Sequence, residues 1–124
     1  MNFRPILIIG GEPQSIFLEI FLKTLKKKLR HPIILISSKK ILEKNKEKFK
    51  KNFKYNELNK NFSNITRKRI NLVNINYNKF KFSRKKITSI SNSYIESSFK
   101  KAFEIINKQG CCGLINGPIS KKTF

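Results

Sequence analysis

Side chains that bind metals or form disulfides are scarce in this sequence, which has one histidine, His31, and two cysteines. The cysteines are neighbours, Cys111 and Cys112, and adjacent residues rarely form a disulfide because the bridge strains the peptide between them. A metal site or a redox pair would need a further Cys or a nearby His. We therefore predict that both cysteines are small apolar side chains on opposite faces of a buried strand, and that His31 lies on the surface.

Long apolar segments are also missing. No apolar run approaches the roughly 18 residues that a membrane span needs. The N-terminus passes directly into strand-like sequence without a separate leader or cleavage site. At 124 residues, with a hydrophobic share of 39%, the chain has the size of one domain with a modest core. These features predict a single soluble, cytoplasmic domain with no membrane partner.

Aspartate and tryptophan are absent, and seven glutamates stand against 28 Lys and Arg residues, for a net charge of +21. Such a charge is typical of nucleic-acid binders, so a small basic nucleic-acid-binding protein is the alternative function. Biased composition explains the charge better, because Lys, Asn and Ile supply 56 of the 124 residues while Ala and Val occur once each. Lys also outnumbers Arg 23 to 5, although nucleic-acid surfaces favour Arg. We expect no nucleic-acid partner.

Short apolar runs alternate with helical patterns along the chain. Four strands are predicted, at 3–9, 32–36, 69–76 and 111–115. The third alternates polar and apolar residues, which predicts a strand at an edge or with one wet face. Three helices are predicted, at 16–29, 39–49 and 93–109. The segments 50–68 and 77–86 are predicted to be irregular. This order predicts an α/β fold with a mainly parallel sheet and flanking helices.

Helix ends and faces have their own signals. Ser37 or Ser38 would cap the second helix, and Ser93 with Glu96 matches the capping box at the start of the third. Gly110 suits the end of that helix. The first helix is predicted to bury the stripe Ile16, Phe17, Ile20, Phe21, Thr24, Leu25 and Leu29, and the third the stripe Ile95, Phe99, Ala102, Phe103 and Ile106.

The first strand ends in a turn that begins Gly10-Gly11-Glu12-Pro13. No third glycine follows at the spacing of the dinucleotide fingerprint, and no Gly-Lys-Ser/Thr marks a phosphate loop. Taken alone, the turn is either a tight strand-to-helix connection or a polar edge of a ligand cleft, since ligands of open α/β sheets gather at the carboxyl ends of strands.

A second turn, Asn116-Gly117-Pro118-Ile119-Ser120-Lys121, follows the last predicted strand. Together the two turns resemble those of the 4-hydroxythreonine-4-phosphate dehydrogenase family of vitamin B6 synthesis. Members open with a strand followed by Gly-Asp/Glu-Pro-Ala-Gly-Ile-Gly-Pro-Glu, which residues 11–19 match. They later carry a strand ending Thr-Gly-Pro-Ile/Val-x-Lys, which residues 116–121 match. The resemblance covers the whole chain in order, but only about the first third of such an enzyme.

The resemblance implies a fold like that of isocitrate and isopropylmalate dehydrogenases, with residues 1–124 as the incomplete N-terminal portion of a single α/β dehydrogenase domain. It implies NAD-dependent oxidation and decarboxylation of the phosphorylated substrate 4-phosphooxy-L-threonine, in pyridoxal phosphate synthesis, by a cytoplasmic homodimer. The divalent metal would be held by histidines of the missing C-terminal part, so the fragment alone would be inactive. An α/β binding module of another kind stays a third possibility.

Carried over residue by residue, the resemblance gives this chain no catalytic residue and no metal ligand. It gives candidate cleft-lining residues, namely Glu12, Pro13, Asn116, Gly117, Pro118 and Lys121. The chain also departs from the family pattern. Ser15 and Phe17 replace two glycines, Leu18 replaces a proline, and Asn116 replaces a threonine. If those glycines allow close approach of a ligand or of another loop, this chain has filled that space.

Overall fold

The computed structural model describes residues 4–13, 15–25, 30–50, 52–77 and 84–119, with side chains from residue 92 onward in the last range. The strands are β1 (Ile6–Ile9), β2 (Ile33–Ser37), β3 (Tyr55–Glu57), β4 (Ile70–Asn74) and β5 (Gly113–Asn116). The helices are α1 (Phe17–Thr24), α2 (Lys39–Lys48) and α3 (Arg84–Gln109). The predicted order is confirmed, with one addition, because β3 lies in a segment predicted to be irregular.

A single sheet with the strand order β3-β4-β2-β1-β5 forms the centre of the described chain. Its four strand pairs are parallel, which confirms the predicted α/β class. Strand β2 is apolar at four successive positions and buried along its whole length. Parallel strands that carry helices on both faces need apolar residues at every position, and this explains the continuous run.

The helices cover opposite faces of the sheet. In β1, Leu7 and Ile9 pack with the α3 side chains Ile95 and Ile105. Ile8 packs on the other face, in the cluster that holds α1 and Leu42 of α2. The alternation of side chains along one strand therefore joins two apolar layers, one under α3 and one under α1 and α2.

The predicted buried face of α1 was right at Phe21 and wrong at Ile16 and Ile20, and Leu29 lies outside the described residues. Leu18 and Leu22 are buried with Phe21, whereas Ile20 is 50% exposed and Ile16, which precedes the helix, is 65% exposed. Apolar side chains occupy nearly every side of this short helix, so two stripes have helical spacing. Contact with β1 and β2, rather than periodicity, selects the stripe that is buried.

The prediction of an edge or half-exposed strand at 69–76 was also wrong. Strand β4 lies between β2 and β3, and Asn71, Leu72 and Val73 are all buried. The polar residue that suggested a wet face is Asn71, which is fully buried. A buried amide is stable only when its donors and acceptors are paired, and here the neighbouring strands and loop supply the partners.

Helix α3 begins at Arg84, well before the predicted capping box. Ser93 and Glu96 are exposed residues inside the helix, so they cap nothing. The end of the helix is confirmed, because Gly110 has the left-handed φ of +76° and its N–H donates to Ile106 O at 2.9 Å. Phe103, predicted to be buried, is 54% exposed.

Strand β5 lies at the edge of the sheet and is not buried as predicted. Leu114 and Ile115 are 38% and 52% exposed, and β5 pairs with β1 alone among the described strands. The cysteines precede the strand, and both are free thiols, Cys111 partly buried and Cys112 exposed. Their predicted places on opposite faces of a buried strand were therefore wrong.

Asn71 joins β4 to its surroundings through both ends of its amide. Nδ2 donates to Ile33 O of β2 at 2.9 Å and to Thr66 O at 2.8 Å. Oδ1 accepts from Thr66 N at 2.9 Å and from Asn56 Nδ2 of β3 at 3.0 Å. One buried side chain thus fixes the register of two strands and the loop that precedes β4.

Replacing this amide should weaken the whole domain. We expect Asn71→Ala to lower the free energy of unfolding by about 3 kcal/mol, because it leaves buried donors and acceptors unpaired. Asn76→Ala is the matched control, since Asn76 is exposed and its side chain makes a long 3.5 Å contact with Asn74; it should change the free energy by no more than about 0.5 kcal/mol. Urea unfolding at equilibrium measures both. Equal losses would contradict this role of Asn71.

Candidate functional site

The two turns singled out in the sequence meet at the carboxyl ends of β1 and β5. Ile9 of β1 is in register with Asn116 of β5. Beyond the strands, Gly117 N donates to Ile9 O at 2.7 Å and Glu12 N donates to Pro118 O at 2.8 Å. The backbones of the turns are therefore hydrogen-bonded to each other, as a continuation of the strand pairing.

Glycine is required on both sides of this contact. Gly11 has a φ of +74°, and a Cβ there would lie 2.6 Å from Gly117 C. A Cβ on Gly117 would lie 2.6 Å from Gly10 O. Real Cβ atoms do not approach backbone this closely, so side chains at these positions would force the two turns apart. Gly11 and Gly117, one from each motif, are explained by this packing.

Phe17 packs against the same contact. A Cβ on Gly117 would lie 3.0 Å from Phe17 Cγ, so the ring occupies the space directly beside Gly117. The ring also stacks on Phe21 of α1, with centroids 6.4 Å apart. Where the resembled family has a small residue, this chain places an aromatic ring against the turn that follows β5.

Five of the six candidate cleft residues are brought to one edge of the sheet. Glu12 and Pro13 are partly buried, Gly117 is buried, and Asn116 and Pro118 are exposed. The amide of Asn116 donates to Gly117 O at 3.2 Å. The sixth candidate, Lys121, lies outside the described residues. That these residues line a ligand cleft stays a prediction.

A cavity that the sequence reasoning missed lies beside the first turn. Its volume is about 830 Å³. The residues that line it come from that turn, from α2 and from the segment after β4; they are Pro13, Ser15, Lys39, Lys40, Ile41, Glu43, Lys44, Asn45, Lys48 and Tyr77. The spacing of Lys40, Lys44 and Lys48 by four residues was a signal for a basic helix face, but lysines are so frequent in this sequence that the spacing alone meant little.

A buried hydroxyl cluster closes the carboxyl end of β2. Tyr94 of α3 accepts a hydrogen bond from Ser38 N at 2.8 Å, and its hydroxyl lies 3.2 Å from Ser37 Oγ. Burial raises the pKa of the Tyr94 phenol, and the hydrogen bonds to Ser37 and Ser38 act against that shift. Ser38 Oγ in turn accepts from Ile41 N as the N-cap of α2. The cluster connects α3 to the start of α2, and this structural role explains why its hydroxyl groups are buried.

Glu43 is the acidic residue among those that line the cavity, and it accepts a hydrogen bond from the Tyr55 hydroxyl. Burial is the main cause that raises the pKa of Tyr55 to about 12, followed by this hydrogen bond and by the charges of Glu43 and Glu57. The phenol therefore keeps its proton, and the Glu43 carboxylate keeps its partner, throughout the neutral range.

Metal ligands do not assemble in the part of the chain that the structure describes. No group of three or more His, Cys, Asp or Glu side chains there could hold a metal ion. The ring of His31 is placed by a 2.8 Å contact between its Nδ1 and Arg4 O, and His31 is only partly exposed. Within the same described ranges, no helix is long and apolar enough to cross a membrane.

Several solved structures are similar to this chain. Three of them are a 4-hydroxythreonine-4-phosphate dehydrogenase from Burkholderia phymatum (TM-score 0.78, 14% identity), a putative one from Salmonella typhimurium (0.75, 15%) and one from Klebsiella pneumoniae (0.74, 11%). The alignments cover 97–99% of this chain but only 38–39% of those chains. This chain therefore shares the fold of somewhat over one third of each neighbour.

Sequence comparison adds no relative to these structures. No protein-family model matches the sequence, and no curated protein sequence matches it. At identities of 11–15%, the structural likeness shows a common fold.

Substitution at the glycine contact tests whether the two turns depend on each other. We expect Gly117→Ala to destabilise the protein by about 1–3 kcal/mol, because the added methyl group meets backbone atoms that have nowhere to move. Gly113→Ala, in the strand β5 that leads into this turn, is the control, since its Cβ would meet nothing within 4 Å, and it should be nearly neutral. Thermal and urea unfolding measure both. If the two variants unfold alike, the close approach of the turns is wrong.

A pH titration tests the pairing of Tyr55 with Glu43. Because the pKa of Tyr55 is higher in the folded state, about 12 against 10.0, its contribution to stability is fully present below pH 10 and is lost as the pH rises toward 12. The ultraviolet titration curve of the Tyr55→Phe variant is subtracted from that of the wild-type chain. The difference should show the Tyr55 phenol ionising near pH 12. Glu43→Gln should lower the pKa of this phenol, because the hydrogen bond and the charge of Glu43 both raise it, and a transition that does not move in Glu43→Gln would refute the pairing.

Proposed function

We propose that this chain is the N-terminal portion of an NAD-dependent dehydrogenase that oxidises and decarboxylates 4-phosphooxy-L-threonine in pyridoxal phosphate synthesis. The observation that carries the proposal is the hydrogen-bonded pair of turns at the ends of β1 and β5. The motif Gly11-Glu12-Pro13 and the motif Gly117-Pro118-Ile119 were matched to one family by sequence pattern. The two motifs are 104 or more positions apart in the sequence, yet their backbones are hydrogen-bonded to each other.

The shared fold supports the same proposal independently of the motifs. Three proteins described as 4-hydroxythreonine-4-phosphate dehydrogenases, one of them putative, have this arrangement of strands and helices in part of their chains. The sheet of this chain also has an exposed apolar edge at Leu114 and Ile115. Such an edge is consistent with an α/β sheet that is completed by further chain.

In this proposal the described residues supply architecture rather than catalysis. The paired turns form one edge of the substrate cleft through Glu12, Pro13, Asn116 and Pro118. The substrate is a phosphorylated small molecule, NAD accepts the hydride from its hydroxyl-bearing carbon, and the resulting keto acid loses carbon dioxide. The described side chains do not fit a divalent metal, so its ligands would come from outside them and no step of the reaction is assigned to this chain. The complete enzyme would be a cytoplasmic homodimer.

Reconstitution with the rest of the coding sequence is the direct test. We expect the reading frame that contains these 124 codons to continue with a Gly-His-Thr-Glu segment and three later histidines, as the family resemblance implies. The longer product, with NAD and a divalent metal, should form NADH and carbon dioxide from 4-phosphooxy-L-threonine. The 124-residue chain should form neither.

Two outcomes would contradict the proposal. One is a frame that stops after Phe124 in a cell where no other chain supplies the histidines. The other is a longer, folded product that forms no NADH with this substrate. Asn116→Thr, which restores the family residue in an exposed position, is the matched variant; it should retain the activity of the longer product.

Nucleic-acid binding is the second candidate, and the net charge of +21 is the observation that favours it. A nucleic-acid-binding function predicts affinity for single- or double-stranded oligonucleotides that falls steeply with salt because counterions are released from the phosphates. Fluorescence anisotropy at several salt concentrations would separate the candidates, since the dehydrogenase proposal predicts no tight complex at physiological salt.

A further inference from the structure

Asn116 is the last residue of β5 and is followed directly by Gly117. Asparagine is a thermolabile residue, because the backbone nitrogen of the next residue can attack its side-chain carbonyl carbon. Glycine hinders this attack least, since it has no Cβ. Asn116 is also exposed, so water has access to its side chain. A chemical modification at this position therefore needs neither a second protein nor a cofactor.

The fold itself requires a glycine after Asn116. A Cβ at position 117 would lie 2.6 Å from Gly10 O and 3.0 Å from Phe17 Cγ. A larger residue, which would shield the backbone nitrogen from Asn116, is therefore excluded by the packing of the two turns. The resembled family has a threonine at position 116, and threonine has no side-chain amide to lose. This chain thus places a reactive side chain before the residue that protects it least.

Hydrogen bonds at the paired turns oppose this reaction in the folded chain. The attacking nitrogen must give up its proton and lie against Asn116 Cγ, but Gly117 N–H donates to Ile9 O at 2.7 Å. The side-chain amide of Asn116 donates to Gly117 O at 3.2 Å, and Asn116 is held in register with Ile9 by strand pairing. Attack therefore requires the end of β5 to separate from β1, and its rate should follow the fraction of molecules that are open there.

We propose that Asn116 is a site of intramolecular deamidation, which the paired turns suppress and which proceeds when the turns separate. The Gly117 nitrogen bonds to Asn116 Cγ, its proton passes to the side-chain amide, and the bond from Cγ to that amide breaks so that ammonia leaves. Water then opens the resulting succinimide ring at either of its two carbonyl carbons. The product has aspartate or isoaspartate at position 116, and water is the one reactant consumed.

The modification leaves a lasting mark on each molecule whose turns have opened. Isoaspartate adds a backbone atom between Ile115 and Gly117, while β5 is fixed in register on β1 and Gly117 N is bonded to Ile9 O. The longer backbone cannot keep both contacts, so the turns of a modified chain should stay apart. This inference depends on the contact between the turns and not on the substrate of the complete protein.

Peptide mass spectrometry of the 124-residue chain, incubated at neutral pH, tests the proposal. The tryptic peptide 109–121 contains no asparagine other than Asn116, so conversion of an amide to an acid in this peptide is assigned to that residue. The synthetic peptide of the same sequence is the unstructured reference. We expect Asn116 to deamidate at least about tenfold more slowly in the folded chain than in the peptide, because the reaction needs local opening. Asn116→Thr should abolish the mass change.

Gly11→Ala separates the turns without changing the reacting residues, since its Cβ would lie 2.6 Å from Gly117 C. We expect it to speed deamidation by about threefold or more, whereas Gly113→Ala, whose Cβ meets nothing within 4 Å, should stay within about twofold of the wild type. If Gly11→Ala fails to fold, urea below the unfolding midpoint replaces it and should raise the wild-type rate toward that of the peptide. Equal rates in the folded chain and the peptide, no acceleration on opening, or equal acceleration by Gly113→Ala would overturn the proposal.

Discussion

Burial of both faces of β1 and β2 is the constraint on which the rest of this structure depends. Each of these strands is short and apolar at successive positions, so each needs cover on both sides. The cover comes from α1 and α2 on one face and α3 on the other. Helices that connect parallel strands return the chain to the same end of the sheet. The turns that follow β1, β2, β4 and β5 therefore lie along one edge, and the paired turns and the cavity are there.

At that edge, the closest packing is between backbones rather than side chains. Gly11 and Gly117 let two loops from distant parts of the sequence share hydrogen bonds, and Phe17 fills the space beside them. The aromatic ring also explains how the chain tolerates a departure from the resembled pattern. An aromatic ring at position 17 would crowd a loop lined by small side chains. In this chain the ring of Phe17 instead packs beside Gly117.

The high content of Asn and Lys is accommodated in two ways. The buried amide of Asn71 is hydrogen-bonded, and charged lysine side chains are exposed. Asn71 is buried in a strand because β2, β3 and the preceding loop pair with both ends of its amide. Many lysines occupy exposed positions on the helices, where their charges are solvated. On α2, however, four lysines line a cavity. The number of lysines in the sequence does not show this, because it depends on where the fold places them.

The sequence by itself determined the elements whose signals are local. Continuous apolar runs located β1 and β2, the pair Ser37-Ser38 marked the start of α2, Gly110 marked the end of α3, and Gly-Gly and Gly-Pro marked the two turns. Tertiary structure alone decided which stripe of α1 is buried, that β4 lies inside the sheet, that β5 and the cysteines lie at its edge, and that lysines of α2 surround a cavity. These features depend on neighbours distant in the chain, and the periodicity of a segment shows only that a face is apolar, without showing what will cover it.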